Sequence, residues 1–303
     1  MADIQMRFNR DMLVLSAPVT TALSKQGVNV EKDLEFTSLL EPDSIQDVFR
    51  LEKSAGATVL VAATRNMTPA ALAQRNMEER ASELSTAALQ VAQALKPQHI
   101  LVELAPCGLP LDASSKDSLL ENKDQFVRAG QVFEKSAFDA YFLNDFENIT
   151  ALKCALMGLR QVSDRPIFAS VALDAQGNLP SQGTQEPNTL EEAVEVMEEF
   201  GASVVGFSTG APLDTVCALA QRAARATALP LLVQLNVACK DPKQGAATSE
   251  NPYYCADTMV NAALCLRKAG VQFLRAAGNA SPAYTGALAA TLSGLDVVCE
   301  PAQ

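Results

Sequence analysis

The chain has a single histidine among its 303 residues, at position 99. Catalytic triads of the Ser-His-Asp type, Cys-His pairs and histidine-rich metal sites all need an imidazole at the site. His99 begins a predicted strand, and in the parallel βα barrel that the sequence favours below, the starts of the strands are associated with stability rather than with catalysis. We therefore expect His99 to be structural, which excludes these three classes of site.

Paired cysteines are also lacking. None of the seven cysteines forms a Cys-x-x-Cys motif, and they are scattered at positions 107, 154, 217, 239, 255, 265 and 299. An odd number of dispersed cysteines is not typical of a disulfide framework. We expect reduced thiols that are mostly buried as small hydrophobic side chains.

Positive charge is scarce. The chain has 24 Lys and Arg against 35 Asp and Glu, giving a net charge of −11. Nucleic-acid and anionic-membrane surfaces need clustered basic residues, so we expect neither as a partner. Charged residues interrupt the apolar N-terminus, which argues against a secretory signal or a membrane span, and we expect a cytoplasmic protein.

No linker rich in Pro, Gly or Ser divides the sequence, so we expect one domain over residues 1–303. Short apolar runs alternate with stretches of helical period, which is typical of βα units. No Gly-x-Gly-x-x-Gly follows the first strand, and eight units favour a closed (β/α)8 TIM-type barrel over an open sheet. The predicted strands are 13–17, 58–63, 99–104, 140–144, 166–172, 203–208, 230–236 and 271–276.

Local signals also place several helices. Pro42 opens a helix to Ala55, Thr68-Pro69 opens a long one to Leu95, and Thr189 to Glu192 is a capping box. Three glycines precede strands, as left-handed C-caps of helices do. They are Gly56, Gly201 and Gly270.

In a barrel of this kind the site lies at the carboxyl ends of the strands. Most polar residues there satisfy buried groups or each other. The candidate substrate-binding residues among them are Ser16, Thr64, Arg65, Glu103, Asn144, Asp145, Asn236 and Arg275.

Two arginines among these candidates suggest specific roles. Arg65 either forms a salt bridge with Glu103 or joins Arg275 in clamping a substrate carboxylate. Arg275 is also followed by a Gly278-Asn279 turn and a helix that begins near Ser281, a combination that can bind an anion.

Two further hypotheses concern other side chains. Cys107 and Cys239, with Glu103 and Asp145 as oxygen donors, are an alternative soft-metal site if their loops fold inward. A Schiff-base lyase has little support, because no lysine falls at an inner strand position. Lys240 is the nearest lysine.

Several segments along nearly the whole chain carry a resemblance to a known family. They are 15–27, 54–64, 105–108, 177–183, 201–206, Asn236 and 281–284. In these segments the chain resembles the homocysteine S-methyltransferase family, the homocysteine-binding barrel also found at the front of cobalamin-dependent methionine synthase. The resemblance implies a (β/α)8 fold and a role in one-carbon metabolism. It also implies methyl transfer to a substrate thiol bound to a zinc ion, which three cysteines hold.

The sequence departs from this family at the positions that matter for its chemistry. Thr209, Ala277 and Gly278 stand where the resemblance places the three zinc-binding cysteines. Ser16 and Asn144 replace carboxylates that would bind the acceptor's ammonium group, although Asp145 offers a carboxylate one residue later. We therefore predict no cofactor, with zinc conceivable only at a relocated site.

The resemblance and these departures together suggest a divergent methyltransferase-like protein. We expect it to bind a small, carboxylate-bearing acceptor in the barrel mouth and to take part in methyl transfer without the three-cysteine zinc site. The alternative is a non-catalytic barrel, a subunit or sensor that binds a ligand or a methyl-carrier protein. The composition is compatible with a homo-oligomer.

Overall fold

The computed structural model describes residues 3–180, 188–239 and 246–298. Eight parallel strands close a barrel in the order of the sequence, and helices surround it. The predicted (β/α)8 fold is confirmed. The strands are β1 Leu13–Leu15, β2 Val59–Ala62, β3 His99–Leu104, β4 Ala140–Phe146, β5 Ile167–Ala172, β6 Val204–Thr209, β7 Leu231–Val237 and β8 Val271–Gly278.

Helices connect consecutive strands. Three of them, α1 to α3, lie between β1 and β2, and two, α4 and α5, lie between β2 and β3. The helices are α1 Val19–Lys25, α2 Val30–Leu40, α3 Pro42–Ala55, α4 Pro69–Ala73, α5 Ala81–Gln93, α6 Lys116–Phe133, α7 Ile149–Arg160, α8 Leu190–Glu199, α9 Leu213–Ala226, α10 Thr258–Lys268 and α11 Pro282–Leu292.

The strands are recognisable in the sequence because both of their faces are buried. One face of each strand points into the barrel and the other contacts the helices, so the strands are almost continuously apolar. All eight predicted strands are present, and β3 has its predicted bounds. β4 runs two residues further than predicted, to Phe146.

The lower half of the barrel interior is an apolar core. Leu13, Val59, Phe142, Phe168 and Phe273 are among its members. The rings of Phe168 and Phe273 lie 4.8 Å apart in an edge-on contact. The N-terminal segment closes this end, since Ile4 is buried in the same core and Phe8 stacks edge-on against both rings.

The structure confirms two of the predicted helix features and corrects a third. α3 has its predicted bounds, and Gly56 ends it with φ of 107°. The capping box at Thr189 is present. The single long helix predicted over 68–95 was wrong, because Asn76 adopts a left-handed φ of 54° and separates α4 from a short 3₁₀ turn and α5.

The expectation that every cysteine is a free thiol was also wrong. Cys217 in α9 and Cys265 in α10 form a disulfide across neighbouring helices. Their separation of 48 residues gives no spacing signal that could have identified the pair. Cys107, Cys154, Cys239 and Cys255 are free, and the first two are buried.

None of the helices within the described ranges is long and apolar enough to cross a membrane.

Replacing Phe273 by alanine should lower the free energy of unfolding by about 3–5 kcal/mol, because it leaves a cavity in the lower barrel core. The exposed Leu51, whose relative exposure is 59%, is the matched control. Leu51→Ala should change stability by no more than about 0.5 kcal/mol. Urea unfolding measures both, and equal losses would contradict the placement of Phe273 in the lower barrel core.

Candidate functional site

The upper half of the barrel interior is polar, in contrast to the apolar half below it. Side chains from five strands form one hydrogen-bonded network across the interior. Its members are Glu103 of β3, Asn144 of β4, Ser170 of β5, Gln234 of β7 and Arg275 of β8. Because it links strands on opposite sides of the barrel, this network fixes the floor of the barrel mouth.

Arg275 is the largest polar member of the floor and is 1% exposed. Its Nε donates to the Ser16 carbonyl oxygen at 3.0 Å, and its Nη1 donates to Gln234 Oε1 at 3.2 Å. Its Nη2 lies 3.5 Å from Glu103 Oε2. Every nitrogen of this guanidinium is therefore engaged within the protein, and the structure does not present Arg275 to an anion beside α11.

Glu103 lies between two guanidinium groups. Its Oε1 accepts from Arg65 Nη1 at 2.9 Å and from Asn144 Nδ2 at 2.8 Å. Burial disfavours the ionised carboxylate, but the positive charges of Arg275 and Arg65 together with the hydrogen bonds from Asn144 and Arg65 outweigh it, and the pKa of Glu103 lies below its ordinary value. Glu103 is thus a buried anion that neutralises Arg275.

Arg65 is held differently, since a single nitrogen makes all its ion pairs. Nη1 contacts Glu103 Oε1 at 2.9 Å and Asp145 Oδ2 at 2.8 Å. Nε and Nη2 make no hydrogen bond to any described residue, and the side chain is 32% exposed. The expected Arg65–Glu103 salt bridge is present, and the remaining edge of the guanidinium is open to the mouth.

Asp145 has an unusual backbone. Its φ is 59°, and the register between β4 and β5 is irregular from Leu143 to Phe146. Such left-handed, bulged positions re-aim a side chain at some cost in backbone strain. Both Asn144 and Asp145 can therefore serve the mouth, and Asp145 bonds Arg65 while its other oxygen accepts from Ser208 Oγ at 3.4 Å.

The loop after β1 is anchored by a buried carboxyl group in α3. Glu52 Oε2 accepts from the Ala17 backbone N–H at 2.9 Å and from Thr285 Oγ1 at 2.6 Å. Burial raises the pKa of Glu52. These bonds hold the segment that carries Pro18 and Thr20 against the mouth.

Above the floor lies a cavity of about 580 Å³ at the carboxyl ends of the strands. That volume is in the range of small-molecule sites. Its walls combine small apolar residues with a few polar ones, including Thr20, Ala62, Arg65, Glu103, Asn144, Asp145, Glu147, Ala172, Ser208, Asn236, Arg275, Ala277 and Gly278.

The other predicted site residues have different roles. Ser16 and Thr64 are buried and serve the backbone: Ser16 Oγ accepts from the Val61 N–H at 3.0 Å, and Thr64 Oγ1 donates to the Glu103 carbonyl at 2.9 Å. Asn236 lines the cavity, is partly exposed, and makes no side-chain hydrogen bond to a described residue. The structure therefore brings six of the eight candidates to the floor or wall of one cavity.

The ends of β6, β7 and β8 form the wall where the resemblance places a zinc site. Thr209 is completely buried, and its hydroxyl accepts from the Ala211 N–H at 3.1 Å and donates to the Asp174 carbonyl at 3.0 Å. Ala277 and Gly278 offer no side-chain donor. A Cβ atom on Gly278 would lie 2.6 Å from the Val237 carbonyl oxygen, and Gly278 has φ of 62°. These residues do not fit zinc.

The alternative metal ligands are not brought to one cavity. Cys107 is buried, its thiol donates to Asn122 Oδ1 at 3.2 Å, and it lines a separate cavity of about 250 Å³. Cys239 is exposed beyond β7. Within the described ranges no group of three or more His, Cys, Asp or Glu side chains is placed to hold a metal. Lys240 lies outside the described residues.

Comparison with known proteins identifies the family of this barrel. The sequence profile described as homocysteine S-methyltransferase matches residues 13–290. The chain belongs to the homocysteine S-methyltransferase family. No curated protein sequence matched the chain.

Solved structures agree on the fold. The oxidized form of the homocysteine methyltransferase MmuM from Escherichia coli has a TM-score of 0.73 at 17% identity, covering 92% of this chain and 96% of that one. Its metallated form has a TM-score of 0.68 at 17% identity and the same coverage. The carboxyl transferase domain of Rhizobium etli pyruvate carboxylase with pyruvate and biocytin has a TM-score of 0.54 at 14% identity, covering 94% of this chain and 43% of that chain.

Sequence reasoning missed Gln234 and Ser170 as members of this methyltransferase-family site. Gln234 bridges the interior, donating to Asn144 Oδ1 at 2.7 Å and to Ser170 Oγ at 3.0 Å. The signal was available, because Gln234 interrupts the apolar run 231–235 at a position two residues before Asn236, on the same face of β7.

Glu103→Gln should lower the free energy of unfolding by about 3–5 kcal/mol at neutral pH, because it leaves the buried Arg275 without a countercharge. The pKa of Glu103 is lowered in the folded state, so its contribution is present above the unfolded-state pKa and is lost as pH falls through the folded-state value. Urea unfolding between neutral and acidic pH should therefore show the wild type and variant converging in acid.

The exposed Glu147, which lines the same cavity, supplies the control. Glu147→Gln should change stability by no more than about 0.5 kcal/mol. A Glu103→Gln variant as stable as Glu147→Gln at neutral pH would show that the floor does not depend on this ion pair.

Restoring cysteines at 209, 277 and 278 should not restore zinc binding. The side chain at 278 would meet the β7 backbone, and a left-handed non-glycine residue costs about 1–2 kcal/mol. We expect the triple variant to be less stable than the variant with Thr209→Cys and Ala277→Cys alone, as measured by thermal unfolding. Elemental mass spectrometry finding one zinc per chain in a triple variant of wild-type stability would refute this description of the wall.

Proposed function

We propose that this chain binds a small, carboxylate-bearing acceptor in the barrel mouth and takes part in methyl transfer by a route that does not use thiolate-bound zinc. The observation that carries the proposal is the arrangement of Arg65. Two carboxylates hold its Nη1, which leaves Nε and Nη2 for a ligand in the cavity. Adjacent guanidinium N–H groups bind a carboxylate in bidentate fashion.

The charges around the cavity limit the kind of anion. Arg65 and Arg275 are offset by Glu103, Asp145 and Glu147, all of which line the same cavity. A multiply charged anion such as a phosphate ester would meet an excess of negative charge there. A ligand with a single carboxylate meets less of this repulsion than a phosphate ester does, and the partly exposed Asp145 can accept a hydrogen bond from a donor on the same ligand.

Glu103 and Arg65 are poorly suited to deprotonate an acceptor. Glu103 has a lowered pKa, which makes it a poor general base, and Arg65 has a raised pKa because Glu103 and Asp145 together outweigh its burial. An acceptor methylated here would have to be nucleophilic without deprotonation by these groups. The chain's own contribution would be to position that acceptor.

The second candidate is a non-catalytic barrel, a subunit or sensor that binds a ligand or a methyl-carrier protein. The specific observation in its favour is that the three zinc positions differ together and that the backbone of β7 occupies the space a side chain at 278 would need. Methyl-labelled sulfonium and folate donors, tested with thiol and amine acceptors, distinguish the two. Turnover supports the first candidate, whereas ligand affinity without turnover supports the second.

Arg65→Met should weaken binding of a carboxylate ligand by roughly ten- to a hundredfold, the value of a hydrogen-bonded charge. Thermal-shift screening of amino, hydroxy and oxo acids supplies the ligand, and calorimetry measures its affinity. Arg80→Met is the control, because Arg80 pairs with Glu83 outside the mouth. Equal affinities of the wild type and Arg65→Met for every acid found would refute the carboxylate site.

A further inference from the structure

A second recognition point faces the same cavity as Arg65, on the wall formed by the ends of β6, β7 and β8. In register, Thr209 pairs with Leu235, and Asn236 pairs with Ala277. Asn236 is therefore central to this wall. Its side chain lines the cavity together with Ala277 and Gly278.

The side chains beside Asn236 are either already hydrogen-bonded or apolar. The Thr209 hydroxyl is buried and already both donates and accepts. Ala277 and Gly278 have no polar side-chain atom, and the Gly278 carbonyl oxygen accepts from Thr21 Oγ1 at 2.9 Å. On the same wall, the Ser208 hydroxyl of β6 lines the cavity and already donates to Asp145 Oδ1 at 3.4 Å. Among the cavity-lining side chains of this wall that the structure describes, Asn236 is thus the polar one that makes no hydrogen bond to a described residue.

The chemistry of Asn236 specifies what it can recognise. A carboxamide is uncharged and offers both a carbonyl acceptor and an NH₂ donor. It matches a neutral group that can also donate and accept, such as an amide or a hydroxyl. It neither lowers the pKa of a thiol nor compensates an ionic charge as a metal or an arginine does.

We propose that the ligand has two different ends: a carboxylate bound by Arg65, and an uncharged hydrogen-bonding group, an amide or hydroxyl, bound by Asn236. This proposal rests on the proposed function for its carboxylate end. The two residues lie on β7 and just beyond β2, which β1 and β8 separate in the barrel. The ligand therefore spans the cavity, and its neutral end occupies the place where a thiol would lie in a zinc-dependent barrel.

The test uses straight-chain monocarboxylic acids of four to six carbons whose far end is an amide, a hydroxyl, a thiol or a methyl group. Their affinities for the intact protein are measured by calorimetry or by NMR titration. At a given chain length, we expect the amide or hydroxyl acid to bind about threefold to tenfold more tightly than the thiol and methyl acids, the value of one net hydrogen bond.

Asn236→Leu should remove this preference and leave the binding of the methyl acid unchanged. Asn279→Leu is the matched control, because Asn279 is exposed beyond β8 and does not line the cavity. That variant should keep the wild-type preference.

The outcomes separate the two proposals. Acids that bind with no preference for their far end, or a preference that survives in Asn236→Leu, would overturn the assignment of Asn236 and leave the carboxylate site at Arg65 standing. If Arg65→Met does not weaken the binding of these acids, the proposed carboxylate site at Arg65 is rejected as well. If no acid of the series binds, the two-ended ligand is rejected, while the broader screen of acids still decides the proposed function.

Discussion

The mouth of this barrel depends on one buried ion pair, between the Glu103 carboxylate and the Arg275 guanidinium. An arginine that is 1% exposed inside a barrel is tolerated only with a countercharge and with its N–H groups bonded. Glu103 supplies the charge, and Gln234 and the Ser16 carbonyl accept the remaining bonds. Asn144 and Ser170 then complete the network, which leaves Arg65 as the cavity-lining guanidinium whose Nε and Nη2 make no hydrogen bond to a described residue.

The fold of this chain is that of its family, whereas the residues at several strand ends differ from the family's pattern. The profile match over residues 13–290 and the closed eight-stranded barrel show that the fold is the family's. At the zinc positions, however, a buried threonine serves the backbone and Gly278 lies against β7. Function in such barrels is set by the residues at the strand ends, so a shared fold does not carry the reaction with it.

Much of the fold could be predicted because its signals are local. Continuous apolar runs gave all eight strands, and Pro42 and Gly56 mark the ends of α3. The break at Asn76 was not predictable from helical periodicity, because a single left-handed residue leaves the pattern on both sides intact. The Cys217–Cys265 pair depends on how two helices meet, which spacing does not encode.

The candidate site was only partly predictable, for a related reason. Sequence position identifies which residues lie near strand ends, and Arg65, Glu103 and Asp145 do meet there. Position at a strand end does not by itself reveal which of the two arginines is buried. Once the structure places Phe273 in the barrel core, two-residue alternation puts Arg275 inside the barrel. The same alternation, counted back from Asn236, identifies Gln234.

We propose that the mouth of this barrel does not provide a thiolate zinc site. Elemental mass spectrometry of the protein, purified without chelator and then dialysed, tests it most directly. We expect zinc far below one ion per chain. One zinc per chain retained through dialysis would contradict it.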